Sequence, residues 1–118
     1  MEAKELALAI ADEALAKQAE FIEIINVVGK VDYTNYVVIC SGRSERQVEA
    51  IVSGVEQAMK KRNVYALGVE GRQSCQWVLM DYTDVIFHIF EDTKRGFYDL
   101  ETLWIDAERL PVRKTAGV

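Results

Sequence analysis

Two cysteines, one histidine and fewer bases than acids set the first limits on this 118-residue chain. Cys40 and Cys75 have neither metal-like nor redox-like spacing, and a chain of this size does not need a disulfide, so each reads as a small buried or half-buried thiol. A lone histidine with no placed serine or cysteine nucleophile gives hydrolysis little to build on. Fourteen Lys and Arg stand against 19 Asp and Glu, a net charge of −5. That balance argues against a general nucleic-acid binder, whose affinity rests on many cation–phosphate contacts. A protein partner with basic patches is the better complement. No apolar run approaches the length of a membrane span. The N-terminal stretch carries Glu2, Glu5, Asp12 and Glu13, so it lacks both a basic leader and an uninterrupted apolar segment. A soluble, cytoplasmic protein is expected. No repeat, linker or low-complexity tract divides it.

What is present fits one domain. Half of the residues are hydrophobic, and a chain of this size buries roughly two-thirds of its unfolded surface. Residues 2–18 read as a helix with Leu6, Ala7, Ile10 and Ala14 on one stripe. "FIEIINVVG" then changes period and reads as a strand, and "YVVIC" as a central strand covered on both sides. Ser44 and Gln47 form an S-x-x-Q capping box. Behind it Val48, Ile51, Val52, Val55 and Met59 mark one face of a second helix, which Lys60, Lys61 and Arg62 close as a solvated end. "VYALGV", "QWVLM" and "VIFHIF" supply three more strands. "DTKRGFYDLETLW" reads as a short helix or two turns broken near Gly96. The order α-β-β-α-β-β-β-α, with five strands, predicts an α+β or mixed-sheet domain over residues 1–107, and 108–118 as a flexible tail.

The fourth and fifth strands form a hairpin. With Tyr82 and Thr83 at its turn, Asp81 lies opposite Asp84, Leu79 opposite Ile86 and Trp77 opposite His88. Side chains alternate, so Val78, Met80, Val85, Phe87 and Ile89 share an apolar core face. The other face carries Trp77, Leu79, Asp81, Asp84, Ile86 and His88. Two facing carboxylates cost up to about 1 kcal/mol unless they are solvated or joined by a cation. Taken alone, Trp77 reads as well as a core residue as a contact residue, and His88 as a half-buried, hydrogen-bonded histidine. Together, an aromatic, aliphatics and acids on one sheet face look like a protein-interface patch. From Glu70 to Glu101 there are seven acids and three bases, so this stretch carries −4 of the total −5.

The rival reading is an enzyme. "SGRSERQ" sits where a strand-to-helix turn could hold a phosphate, with Arg43 and Arg46 adding charge. It lacks the glycines and lysine of a P-loop, and Ser44 already serves as a cap. Nucleotidyl transfer would also need paired carboxylates on an adjacent strand to hold a metal. Asp81 and Asp84 flank a turn instead. No catalytic residue, cofactor or metal ligand is assigned.

Three stretches, "TNYVVICSGRSERQV", "GVEGRQSCQWVLMDYTDVIFHIF" and "RGFYDLETLW", closely resemble the signatures of the bacterial ribosomal silencing factor, or Iojap-like, family. The resemblance is collinear from about residue 3 to 107. It implies a mixed five-stranded sheet flanked by helices, a fold related to nucleotidyltransferases without their catalytic acids, and a homodimer in solution. It also implies binding to the large ribosomal subunit through its universal protein number fourteen, which blocks joining to the small subunit and lowers translation when nutrients are scarce. A role in large-subunit assembly is associated with it too. By position, Glu70 and Gly71 open the family's motif that ends at Trp77. Asp81, Asp84 and His88 match its D-x-x-D-V-x-x-H portion, and Tyr98, Leu100 and Trp104 its closing helix. The implied partner-binding residues are Glu70, Trp77, Leu79, Asp81, Asp84, His88 and Tyr98. The chain departs from the family at Asn35, usually aspartate, and at Thr83, usually glycine.

Overall fold

The alanine-rich N-terminal segment forms helix α1 (Ala3–Ala16), and the segment behind Ser44 forms α2 (Glu45–Lys60). All five residues of the expected α2 stripe, Val48 to Met59, are fully buried. Only half of the capping box forms. The Gln47 N–H donates to Ser44 Oγ at 3.1 Å, but the Gln47 side chain turns away and donates to the Lys17 carbonyl at the end of α1. Docking two helix ends together thereby replaces a local reciprocal bond. A computed structural model describes residues 1–112 of the chain, the side chains of Phe97 and Tyr98 excepted.

The strands are β1 (Glu20–Asn26), β2 (Tyr36–Gly42), β3 (Gly68–Glu70), β4 (Trp77–Asp81), β5 (Val85–Glu91) and β6 (Arg109–Leu110). They lie in the order β3-β4-β5-β2-β1-β6, with β2 and β5 parallel and every other neighbouring pair antiparallel. The mixed sheet is as expected, but it has six strands, not five. The sixth comes from the stretch read as tail: Arg109 and Leu110 pair with Ile25 and Ile24. Leu110 buries itself against the core. Two residues have no period to read, so only the exposed edge of β1 reveals this strand. The rest of the expected tail, 113–118, lies outside the described residues.

The sheet has two unequal faces. Both long helices cover one, where Ile10, Val38, Ile51, Val55, Met80 and Phe87 belong to the main core. Among the described residues, the other is covered only over β1, β2 and the end of β5. There Ile25, Val27, Val37, Ile39 and Phe90 pack with Trp104 and Ala107. Those last two follow two short helices, α3 (Asp92–Tyr98) and α4 (Leu100–Leu103). The break between them falls at Asp99, whose φ of 44° is left-handed, and not at Gly96. Short polar side chains tolerate that region by bonding locally. Arg95 and Arg109 tie this cover down: Arg95 reaches Ser41 Oγ at 2.9 Å and Glu101 at 2.9 Å, and Arg109 reaches Glu23 at 3.3 Å.

The hairpin keeps its expected faces but not its register. Asp81 pairs with Ile86, Leu79 with His88, Val78 with Ile89 and Trp77 with Phe90, a slip of two residues from the expected pairing. A slip of two leaves every side chain on its own face, because the period is two. It does remove the facing carboxylates. The turn is Thr83–Asp84, closed by the Tyr82 N–H donating to the Val85 carbonyl at 2.9 Å. Thr83 takes a φ of 71°, costly for a β-branched residue. Two sets of bonds hold it there. The Thr83 N–H donates to Asp81 Oδ1 at 2.8 Å. The Asp84 carbonyl accepts from the N–H groups of Asn35 and Tyr36 at 3.2 and 3.1 Å, pinning the turn to the start of β2.

Candidate docking face

Among the described residues nothing covers the second face of the sheet over β4 and β3, and the sequence places Trp77, Leu79 and Asp81 there at alternate positions. All three are half-buried. The Trp77 ring stacks on Phe90, its partner across the ladder, with centroids 5.3 Å apart and planes 21° apart. Its Nε1–H donates to His88 Nδ1 at 3.0 Å. Trp77 is therefore neither core nor free surface: one side rests on the second core, and the rest is presented outward.

Beside it lies a shallow depression of ≈ 160 Å³ lined by Glu70, Gly71, Trp77 and Leu79. Gly71 makes it possible. Its φ is 83°, and a Cβ there would collide with the Trp77 carbonyl oxygen, so the chain can cross this close only as glycine. The loop from Gly71 to Trp77 is clamped to α2 by Arg72. The guanidinium engages Glu49 with two bonds of 3.0 Å, and also Glu56 at 3.0 Å and Ser53 at 2.9 Å. Arg72, with Ser53 behind it, holds the Glu49 carboxyl below its ordinary range, and the two acids push the arginine up. Cys75, in the same loop, is buried and its thiol is pushed up by burial, as is that of Cys40. Neither position favours thiolate chemistry.

Of the expected contact residues, the structure gathers Glu70, Trp77 and Leu79 around one depression. Asp81 continues the same strand face, and an exposed Asp84 sits at the hairpin tip. His88 is different. It is 8% exposed and lies under Trp77, and burial lowers its pKa to about 4, so it is neutral near pH 7. The side chain of Tyr98 lies outside the described residues. The sequence reading missed Phe90, the platform for Trp77, although it follows His88 at the same two-residue period. It also missed the Arg72 clamp, which depends on a helix distant in sequence.

The strand-to-helix turn at "SGRSERQ" is shaped by packing. Gly42 lies against α2 so closely that a Cβ would come within 3.0 Å of the Val48 nitrogen, and Ser44 fills the cap. Arg43 and Arg46 are exposed. Asp84 adjoins Tyr36 at one end of the parallel pair, while Gly42 adjoins Glu91 at the other. Seven-residue strands separate the acids from this turn by ~20 Å, so they cannot share a metal with it. Among the described residues no helix is long and apolar enough to cross a membrane.

Comparison with known proteins decides the family. Residues 1–117 match the family described as "Ribosomal silencing factor during starvation". The chain belongs to the ribosomal silencing factor family. A ribosomal silencing factor from Halalkalibacterium halodurans is 35% identical over 91 residues, 77% of this chain and 78% of that protein. A mouse protein named "Mitochondrial assembly of ribosomal large subunit protein 1" is 31% identical over 91 residues, 75% of this chain and 40% of its own length. A crystal structure of a Chromobacterium violaceum protein superposes with a TM-score of 0.86 at 26% identity, covering 99% of this chain and 97% of that one. Iojap proteins of plants are among the relatives as well.

Proposed function

We infer that the uncovered face over β3 and β4 docks a basic protein of the large ribosomal subunit, its universal protein number fourteen. Bound there, the factor blocks joining to the small subunit and lowers translation when nutrients are scarce. It acts as a binding protein in the cytoplasm, not as an enzyme, and it uses no cofactor. Its fold follows a nucleotidyltransferase-like topology without the catalytic acids. In solution it is a homodimer, and it also serves large-subunit assembly, a role suggested by the name of the mouse relative.

One observation carries this reading: a half-buried tryptophan held beside an apolar depression, with Glu70 at its edge, Asp81 on the same strand face and Asp84 exposed at the hairpin tip. Aromatic anchors in partly desolvated pockets dominate protein interfaces, and a surrounding acidic rim steers a basic partner. The contact residues are then Glu70, Trp77, Leu79, Asp81, Asp84 and Tyr98, with His88 beneath them. An acidic factor docks on a basic ribosomal protein without competing for RNA phosphates.

Sucrose-gradient sedimentation tests it. The protein is expected with free large subunits and absent from joined ribosomes. Trp77→Ala should weaken binding by about 2–4 kcal/mol, as loss of an anchor does. Because the ring is only half-buried, the fold should lose roughly 2 kcal/mol, about half the cost of truncating a fully buried aromatic. A folded Trp77→Ala protein that still sediments like the wild type would refute the docking face.

A further inference from the structure

An indole N–H is a donor only, and an anchor tryptophan commonly gives it to the partner. Here it is already given inward. The acceptor, His88 Nδ1 at 3.0 Å, belongs to a residue more buried than Trp77 itself. That acceptor is well fixed. His88 sits between Leu79 of β4 and Ile39 of β2 in the ladder. Its ring lies 9° from the plane of Phe90, with centroids 6.2 Å apart. Trp77 thus meets two aligned rings on β5, one beneath it as a platform and one diagonal to it as an acceptor. Accepting at Nδ1 leaves the proton of neutral His88 on Nε2.

We propose that His88 is a positioning residue for docking: it takes the indole N–H of Trp77 and locks the ring against Phe90 before the partner arrives, so the indole offers the partner an apolar surface without a donor. This rests on the docking reading above. It makes His88 act through Trp77, not by touching the partner. It also sets the chemistry opposite the indole, namely aliphatic side chains or the methylene stem of a lysine or arginine, with the charged head reaching the acids nearby.

The test is a double-mutant cycle, read by binding to purified large ribosomal subunits. His88→Phe keeps a ring and removes the acceptor; His88→Asn keeps an acceptor near the Nδ1 position. In ¹⁵N-tryptophan-labelled protein, with Trp104→Phe assigning the two indole signals, His88→Phe should move and broaden the Trp77 Nε1–H signal. Binding should weaken about three- to tenfold, the size of one lost hydrogen bond and one unfrozen side chain. His88→Asn should restore the signal and most of the affinity. On a Trp77→Ala background, His88→Phe should add no further loss. Losses that multiply across the cycle would overturn the proposal, since His88 would then touch the partner itself. So would a displaced indole signal with unchanged affinity. Should His88→Phe fail to fold, His88→Asn decides: signal and affinity should be kept together, the affinity within about threefold, or lost together, and either one lost alone overturns the proposal. Unchanged binding by Trp77→Ala alone would instead remove the docking reading, a separate and recognisable failure.

Discussion

Acidification should destabilise this protein through its one histidine, and the size of the effect follows from where that residue lies. Buried between apolar strands, His88 has a pKa of about 4 in the fold, against 6.5 for an exposed imidazole. The indole donating to Nδ1 acts in the same direction, because only the neutral ring can accept. The folded state therefore binds fewer protons than the unfolded state between these values, and stability falls as pH drops through that window. Above the unfolded value both states are neutral and nothing is lost. The loss should reach about 1–2 kcal/mol near pH 5.5 and roughly 3 kcal/mol near pH 4. No other histidine exists to blur the upper part of the window. Urea unfolding at several pH values between about 7.5 and 5 should show this slope, and His88→Phe should flatten it. Stability that stays level from pH 7.5 to 5.5, or a slope that persists in His88→Phe, would refute the burial argument.

Gly71→Ala should cost roughly 1–3 kcal/mol, from a positive φ and a clash with the Trp77 carbonyl. Gly68→Ala, whose Cβ would meet open space, is the near-neutral control, and thermal melts of the two should differ clearly. Arg72→Lys keeps the charge but loses the paired bonds to Glu49; with the side chain 36% exposed, about 1 kcal/mol is expected. Its sharper signature is faster amide exchange at Cys75, whose N–H bonds the Gly71 carbonyl at 3.0 Å; unchanged exchange would show that the clamp holds nothing. Nucleoside triphosphates with magnesium should leave the melting temperature unmoved, whereas a saturable stabilisation abolished by changing Arg43 or Arg46 would restore the enzyme reading.

Much of the architecture was legible in the chain because it is periodic. The α2 stripe from Val48 to Met59, the buried run of β2 and the two faces of the hairpin are each set by local spacing, and the faces survived even a wrong register. The slip itself could not be read. It depends on Asp81 bonding the Thr83 N–H and on the Asp84 carbonyl meeting β2, which draw a β-branched residue into a conformation that its own preferences oppose. Gln47 shows the same limit, since its predicted local bond lost to a carbonyl at the end of another helix. So does β6, whose two residues become a strand only because β1 has an edge to pair with.

For the docking face, the chain by itself determined which residue types share one side of β4 and β5, because alternation is a property of the backbone. Which of them reach solvent was a tertiary decision. Trp104, Ala107 and the neighbouring loop cover one half of that sheet face and stop before β4, leaving Trp77 half out and His88 beneath it. No local pattern encodes where a distant segment ends its cover, and that boundary separates an anchor from its support.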